Sequence, residues 1–233
     1  MALFLALSVF FCGLAAFAED WDDEDWDDDD EFIDDEEEFE EEEGAVDFRT
    51  IAGYDTGEKF TCGDFLYQLT EDGEGAVVIS YTGTSGDVVI PESMDDHPVV
   101  AVGEFMFKDN QVVETVQLPE GLQAIGNMAF FKCTNLKKIE IPEGITLIDQ
   151  ACFGGCEGLE EVKLPDSLEE VGQFGFLSCP KLREVAFGPN LRAIGSGAFQ
   201  LCASLTKVVI PADVTIAEDS FAQCSEDLQI INP

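Results

Sequence analysis

Cysteine is the reactive residue that recurs in this sequence. Cys133, Cys156, Cys179 and Cys202 are spaced by 23 residues, and Cys224 follows 22 residues later. Thiols in such a series could pair, chelate a metal or act as small buried groups. Adjacent turns of a coiled chain would bring their Cα atoms near the roughly 4.4–6.8 Å that a disulfide needs, but stacked side chains point the same way instead of toward each other. Asn110 stands one turn earlier in the same phase. That points to a position for a small polar group that hydrogen-bonds the loop backbone, so buried thiols are expected. Cys152 and Cys156, four apart, could chelate a metal only with further ligands. The single histidine, His97, lies between Asp96 and Pro98. As a catalytic base it would need a nucleophile and an orienting group; nothing marks either, and it reads as a solvated loop residue. Gly195-Ser196-Gly197 lacks the third glycine of a dinucleotide loop. Carboxylate pairs abound, but in so acidic a chain they single out no glycosidase site. No catalytic residue, metal or cofactor is assigned, and a non-enzymatic protein is expected.

The elements that position these residues repeat without a gap over 116–207, in turns that open at Val116, Ile139, Val162 and Val185. To a good approximation each turn reads apolar-x-apolar-Pro-x-x-apolar-x-x-apolar, then four residues, then Phe-x-x-Cys-x-x-Leu. Its landmarks are Phe130, Phe153, Phe176 and Phe199, and Leu136, Leu159, Leu182 and Leu205. A fixed period in the range of about twenty to fifty residues is the signature of a solenoid. The Leu136–Pro142 segment and its equivalents predict short parallel strands, ended by a proline that cannot donate to the ladder. Short helical or irregular convex segments should follow. An irregular turn, 88–115, is five residues longer, with the extra residues near Asp95-Asp96-His97-Pro98; a last turn, 208–229, precedes a partial one at 230–233. Upstream, 65–87 holds two runs of strand character joined through Asp72-Gly73-Glu74-Gly75, a β-hairpin that would cap the apolar end of the stack. Residues 44–64 read as a linker.

The first eighteen residues are apolar and end in Ala16-Phe17-Ala18. They fit a secretory signal peptide, although no Lys or Arg precedes them; an uncleaved anchor is the alternative. No membrane insertion is expected after cleavage. Over 19–43 stand 20 of the chain's 50 acidic residues. This tract cannot fold alone and is expected to be disordered. It serves as a solvating spacer or an interaction tail, with weak, non-specific binding of divalent cations. The formal charge is -39, of which -19 remains outside the tract. Nucleic acid and anionic lipid need clustered Lys and Arg, so neither is an expected partner.

Outward positions around the strands carry paired charges. One file runs Lys137, Glu160, Arg183, and Glu140 lies beside Lys163; Lys207 follows in the next turn. These six residues form the candidate binding face, with register control as a sufficient alternative role. The unit IPEGITLIDQACFGGCEGLEEVKLP resembles the BspA-type leucine-rich repeat. The resemblance implies a leucine-rich repeat solenoid and a secreted or cell-surface protein. It also implies protein binding or adhesion, with an extracellular-matrix or host surface protein as partner. The competing expectation is an acidic structural or cation-buffering envelope protein whose repeats are a rigid spacer.

Overall fold

The computed structural model describes residues 57–232. The signal peptide, the acidic tract with its cation binding, and the linker up to residue 56 lie outside the described residues.

The N-terminal cap contains β1 (Phe60–Cys62), β2 (Phe65–Leu69) and β3 (Ala76–Tyr81), joined antiparallel. The β2–β3 hairpin is where the sequence places it. Strand β1 falls in the stretch expected to be linker: Gly63, at φ +58°, turns the chain back so that Phe60–Cys62 pairs with β2. The irregular turn holds β4 (Asp87–Val89), β5 (Ser93–Met94) and β6 (His97–Val102). Its extra residues are not an open loop. Asp95 and Asp96 both have positive φ and close a two-residue hairpin between β5 and β6, the geometry of a type I′ turn. His97 therefore sits on a strand, half-buried, and not in a solvated loop. Asp95 accepts a 2.8 Å hydrogen bond from the Tyr67 hydroxyl, which ties cap to first turn. Burial and that bond push the Tyr67 hydroxyl up to about 12.

From there each turn contributes two short parallel strands. The first sheet series is β7 (Thr115–Gln117), β9 (Lys138–Glu140), β11 (Glu161–Lys163), β13 (Glu184–Ala186), β15 (Lys207–Val209) and β17 (Gln229–Ile231). The second is β8 (Ala124–Ile125), β10 (Leu147–Ile148), β12 (Glu170–Val171), β14 (Ala193–Ile194) and β16 (Thr215–Ile216). The middle residue of β9, β11, β13 and β15 is buried, and its neighbours, exposed in the first three strands and half-buried in β15, face out. The second series is absent from the expectation above, because a two-residue strand carries no periodicity to read.

The segments between β8 and β9, and their equivalents, are irregular; the described residues contain no helix. Two left-handed residues recur in each turn, at 105, 128, 151, 174 and 197 and at 109, 132, 155, 178, 201 and 223. Only two of these eleven are glycines, Gly155 and Gly197. The hydrogen bonds explain them. The amides of Met128, Phe130 and Lys132 donate to the carbonyls of Gln150, Cys152 and Gly154 in the next turn. The alternating amides of Ala129, Phe131 and Cys133 donate three residues back within their own turn. A helix would send every amide back along its own segment and leave nothing for the neighbour.

Phenylalanine fills the axis. Phe107, Phe130, Phe153, Phe176 and Phe199 are almost fully buried, and their rings stack at 5.0–5.2 Å. The stack runs on to Phe221 at 5.4 Å and back to Tyr81 of the cap at 5.7 Å. Gly175 makes room: a Cβ there would approach Val171 Cγ1 to 2.9 Å. Phe153→Ala should cost about 3–5 kcal/mol, the range for a buried aromatic, whereas Phe221→Ala, at a half-buried site, should cost less than half as much. Urea unfolding midpoints of the two variants check this.

Candidate functional site

Two features stand out among the positioned side chains: a thiol ladder inside the solenoid and a charged face outside it. The ladder is built by the Phe-x-x-Cys spacing. Cys156 Sγ donates to the Phe130 carbonyl of the preceding turn at 3.1 Å, and that carbonyl also accepts the Cys133 amide at 3.1 Å. Cys133, Cys179, Cys202 and Cys224 repeat the contact on Phe107, Phe153, Phe176 and Phe199 at 3.0–3.2 Å. Asn110 differs. The cap, not a repeat, lies upstream of it, and its Oδ1 accepts the amides of Val112 and Val113 in its own loop. All seven described cysteines are free thiols. Cys152 is buried at the small position shared with Ala129, Gly175 and Ala198.

Burial pushes the Cys133 thiol up to about 12 and the Cys224 thiol up to about 11, and raises Cys152, Cys156 and Cys179 well above the ordinary range. The nucleophilic form is the thiolate, so these groups are inert at neutral pH. Among the described residues no group of three or more His, Cys, Asp or Glu side chains is placed to hold a metal ion.

The outward face of the first sheet carries the charges. Lys137 pairs with Glu114, Lys163 with Glu140, and Lys207 with Glu184 at 3.3 Å. The Glu partners raise the pKa of Lys137 and Lys163 above the ordinary lysine range. On the second-sheet side Arg192 meets Glu169 at 3.3 Å. Of the six residues read from the sequence, the structure brings Glu140 and Lys163 into adjacent strands. Lys137, Glu160 and Arg183 sit one residue ahead of the strands, on the rim, and no ion pair joins Glu160 to Arg183. The central outward file is Lys138, Glu161, Glu184 and Lys207. Three of those residues escaped the sequence reading, although alternation around buried Ile139, Val162 and Val185 marks them.

Six described acids lie on this face and rim, at 87, 114, 140, 160, 161 and 184, against five bases at 137, 138, 163, 183 and 207. The other described residues hold 22 acids and five bases. The face is therefore a nearly neutral strip on a strongly negative body.

The family described as BspA type leucine rich repeat region matches the sequence in six copies over residues 100–227. The chain belongs to the BspA-type leucine-rich repeat family. Among solved structures it is similar to the leucine-rich repeat protein of T. pallidum, at 30% identity and a TM-score of 0.63, over 74% of this chain and 86% of that one. It is similar to a leucine-rich cell surface protein from Faecalibacterium prausnitzii, at 25% identity and a TM-score of 0.64, over 76% of this chain and 55% of that one. The pneumococcal vaccine antigen PcpA, 23% identical over 72% of this chain and 48% of its own, shares the fold at a TM-score of 0.55. No curated protein sequence matches. The family is a repeat scaffold, and no catalytic family is indicated. Among the described residues no helix is long and apolar enough to cross a membrane.

The thiol shifts set an alkaline limit on this repeat protein. The folded thiols bind protons more tightly than unfolded ones, so their contribution is complete below about pH 9 and is lost as pH rises through 11–12. Each fully shifted thiol should remove about 1.4 kcal/mol of stability per pH unit in that window. Urea midpoints should fall steeply between about pH 9 and pH 11, and less steeply for Cys156→Ser; equal slopes would refute the assignment.

Proposed function

We propose that this BspA-type protein is a secreted or surface-displayed, non-enzymatic scaffold that binds another protein through the outward face of its first sheet. One observation carries the reading. The chain spends half of its described bases on one face and leaves the remainder strongly negative. A partner that is neutral or acidic meets least repulsion there, and complementary charge steers encounter and register. The regular spacing of outward residues, about 4.8 Å from strand to strand, suits an extended protein surface better than a small molecule. Surface display is supported by the family and by the neighbour described as a cell surface protein. The partner class is an extracellular-matrix or host surface protein.

The test is binding of the chain to a panel of purified matrix proteins, measured at two salt concentrations. A variant with Lys138→Glu, Lys163→Glu and Lys207→Glu should lose at least about tenfold in affinity for any partner found. A control with Lys108→Glu and Lys132→Glu, on the turn segments, should bind as the parent does. Equal loss in both would refute the face assignment. A partner held only through 19–43 would favour the acidic structural role instead.

A further inference from the structure

The ladder of the first sheet is interrupted once among the described residues, between β11 and β13. Elsewhere two bonds bracket the strands, except behind β7, where the bond of the Leu118 amide to Glu140 is missing while β7 and β9 stay paired. Ahead of them the amides of Lys137, Glu160 and Thr206 donate to the carbonyls of Glu114, Lys137 and Arg183, each at 2.9 Å. Behind them the amides of Ile141 and Phe187 donate to Lys163 and Val209. At the interruption neither bond is made: the Arg183 amide does not reach the Glu160 carbonyl, and the Leu164 amide does not reach Ala186. The two strands still lie side by side.

The other sides of the same joint stay closed. Strand β12 pairs with β14, and the amides of Phe174, Phe176 and Ser178 donate to Ser196, Ala198 and Gln200. Phe176 and Phe199 remain stacked at 5.1 Å.

Local chemistry accounts for the opening. Glu161 and Glu184 are neighbours in one outward file, and like charges on adjacent strands oppose pairing. Phe187 stands where other turns have Leu118, Ile141 or Leu164, and it sets its ring edge-on to Phe199 at 6.1 Å. Gly188 replaces the proline of the other turns, and its backbone presses on Asp166, where a Cβ would come within 2.6 Å of the Asp166 Cα.

We infer that the solenoid is hinged at this joint. Residues 57–163 and 184–232 rock about the second sheet and the turn segments, which opens and closes the first-sheet face at Glu161 and Glu184. At this joint the first-sheet ladder is missing although Asn190 still donates to the Asp166 carbonyl at 2.8 Å beyond the strands, so the second sheet and the turn segments act as the hinge pin. The device belongs to the scaffold and does not depend on what the face binds.

Two measurements on the full chain test it. In native-state hydrogen exchange, the Leu164 and Arg183 amides should exchange at least about tenfold faster than those of Ile141, Glu160 and Thr206. For distances, Cys62 and Cys224 are replaced by serine and spin labels are placed at Thr61→Cys with Gln229→Cys, across the joint. A second pair, Thr61→Cys with Lys163→Cys, lies on one side of it. The first pair should give the broader distance distribution after scaling for length. Equal protection of the compared amides, or equally narrow distributions, would overturn the hinge.

Discussion

Each turn of this protein is packed between two others, so its backbone amides must find acceptors in its neighbours. That constraint sets the rest of the structure. An unpaired buried amide costs about 1–3 kcal/mol. The chain avoids that cost by pointing alternate amides along the solenoid axis, at Met128, Phe130 and Lys132 and their equivalents. The geometry forces left-handed residues, at about 1–2 kcal/mol each for a non-glycine. Three inter-turn bonds, at about 1 kcal/mol net each, do no more than offset two such residues. The margin comes from the apolar axis, where each buried Phe or Leu contributes about 1.5–3 kcal/mol. Backbone pairing therefore fixes the register of the turns, and phenylalanine supplies the stability.

The thiol ladder follows from the same geometry. The Phe carbonyl receives one bond from its own turn and has a second lone pair facing the next. A cysteine placed three residues after the next Phe reaches it with a weak donor on an otherwise apolar side chain. Serine would bond more strongly but would carry more desolvation into a fully buried site. Asn110 shows the exception that explains the rule, because without a repeat turn upstream the position bonds its own loop.

The period, the Phe, Cys and Leu core and the first-sheet strands were legible in the sequence because they recur in phase over whole turns. Features one or two residues long were not. The strands from Ala124–Ile125 to Thr215–Ile216 are too short to alternate. The rim residues Lys137, Glu160 and Arg183 read as an outward strand file in the sequence because a one-residue slip in a strand exchanges its faces. The buried position of Ile139 resolves it in favour of Lys138. The hairpin at Asp95 and Asp96 was hidden in an insertion, since neither residue is the glycine that usually marks such a turn. The open joint at β11 and β13 depends on Glu161 facing Glu184, a relation between turns that no single repeat displays.

Membership of the BspA-type family makes the scaffold clear, and the balance of charge sets one face apart from the negative body. Both rest on turns held in register through the buried carbonyls. Raman spectroscopy of the S–H stretch in the native, full chain tests that account most directly. Thiols bonded to the Phe carbonyls predict S–H intensity displaced to the low frequency of donating thiols, returning to the free-thiol frequency on unfolding in urea. A native band already at the free-thiol position, or missing because the cysteines are oxidised, would contradict it.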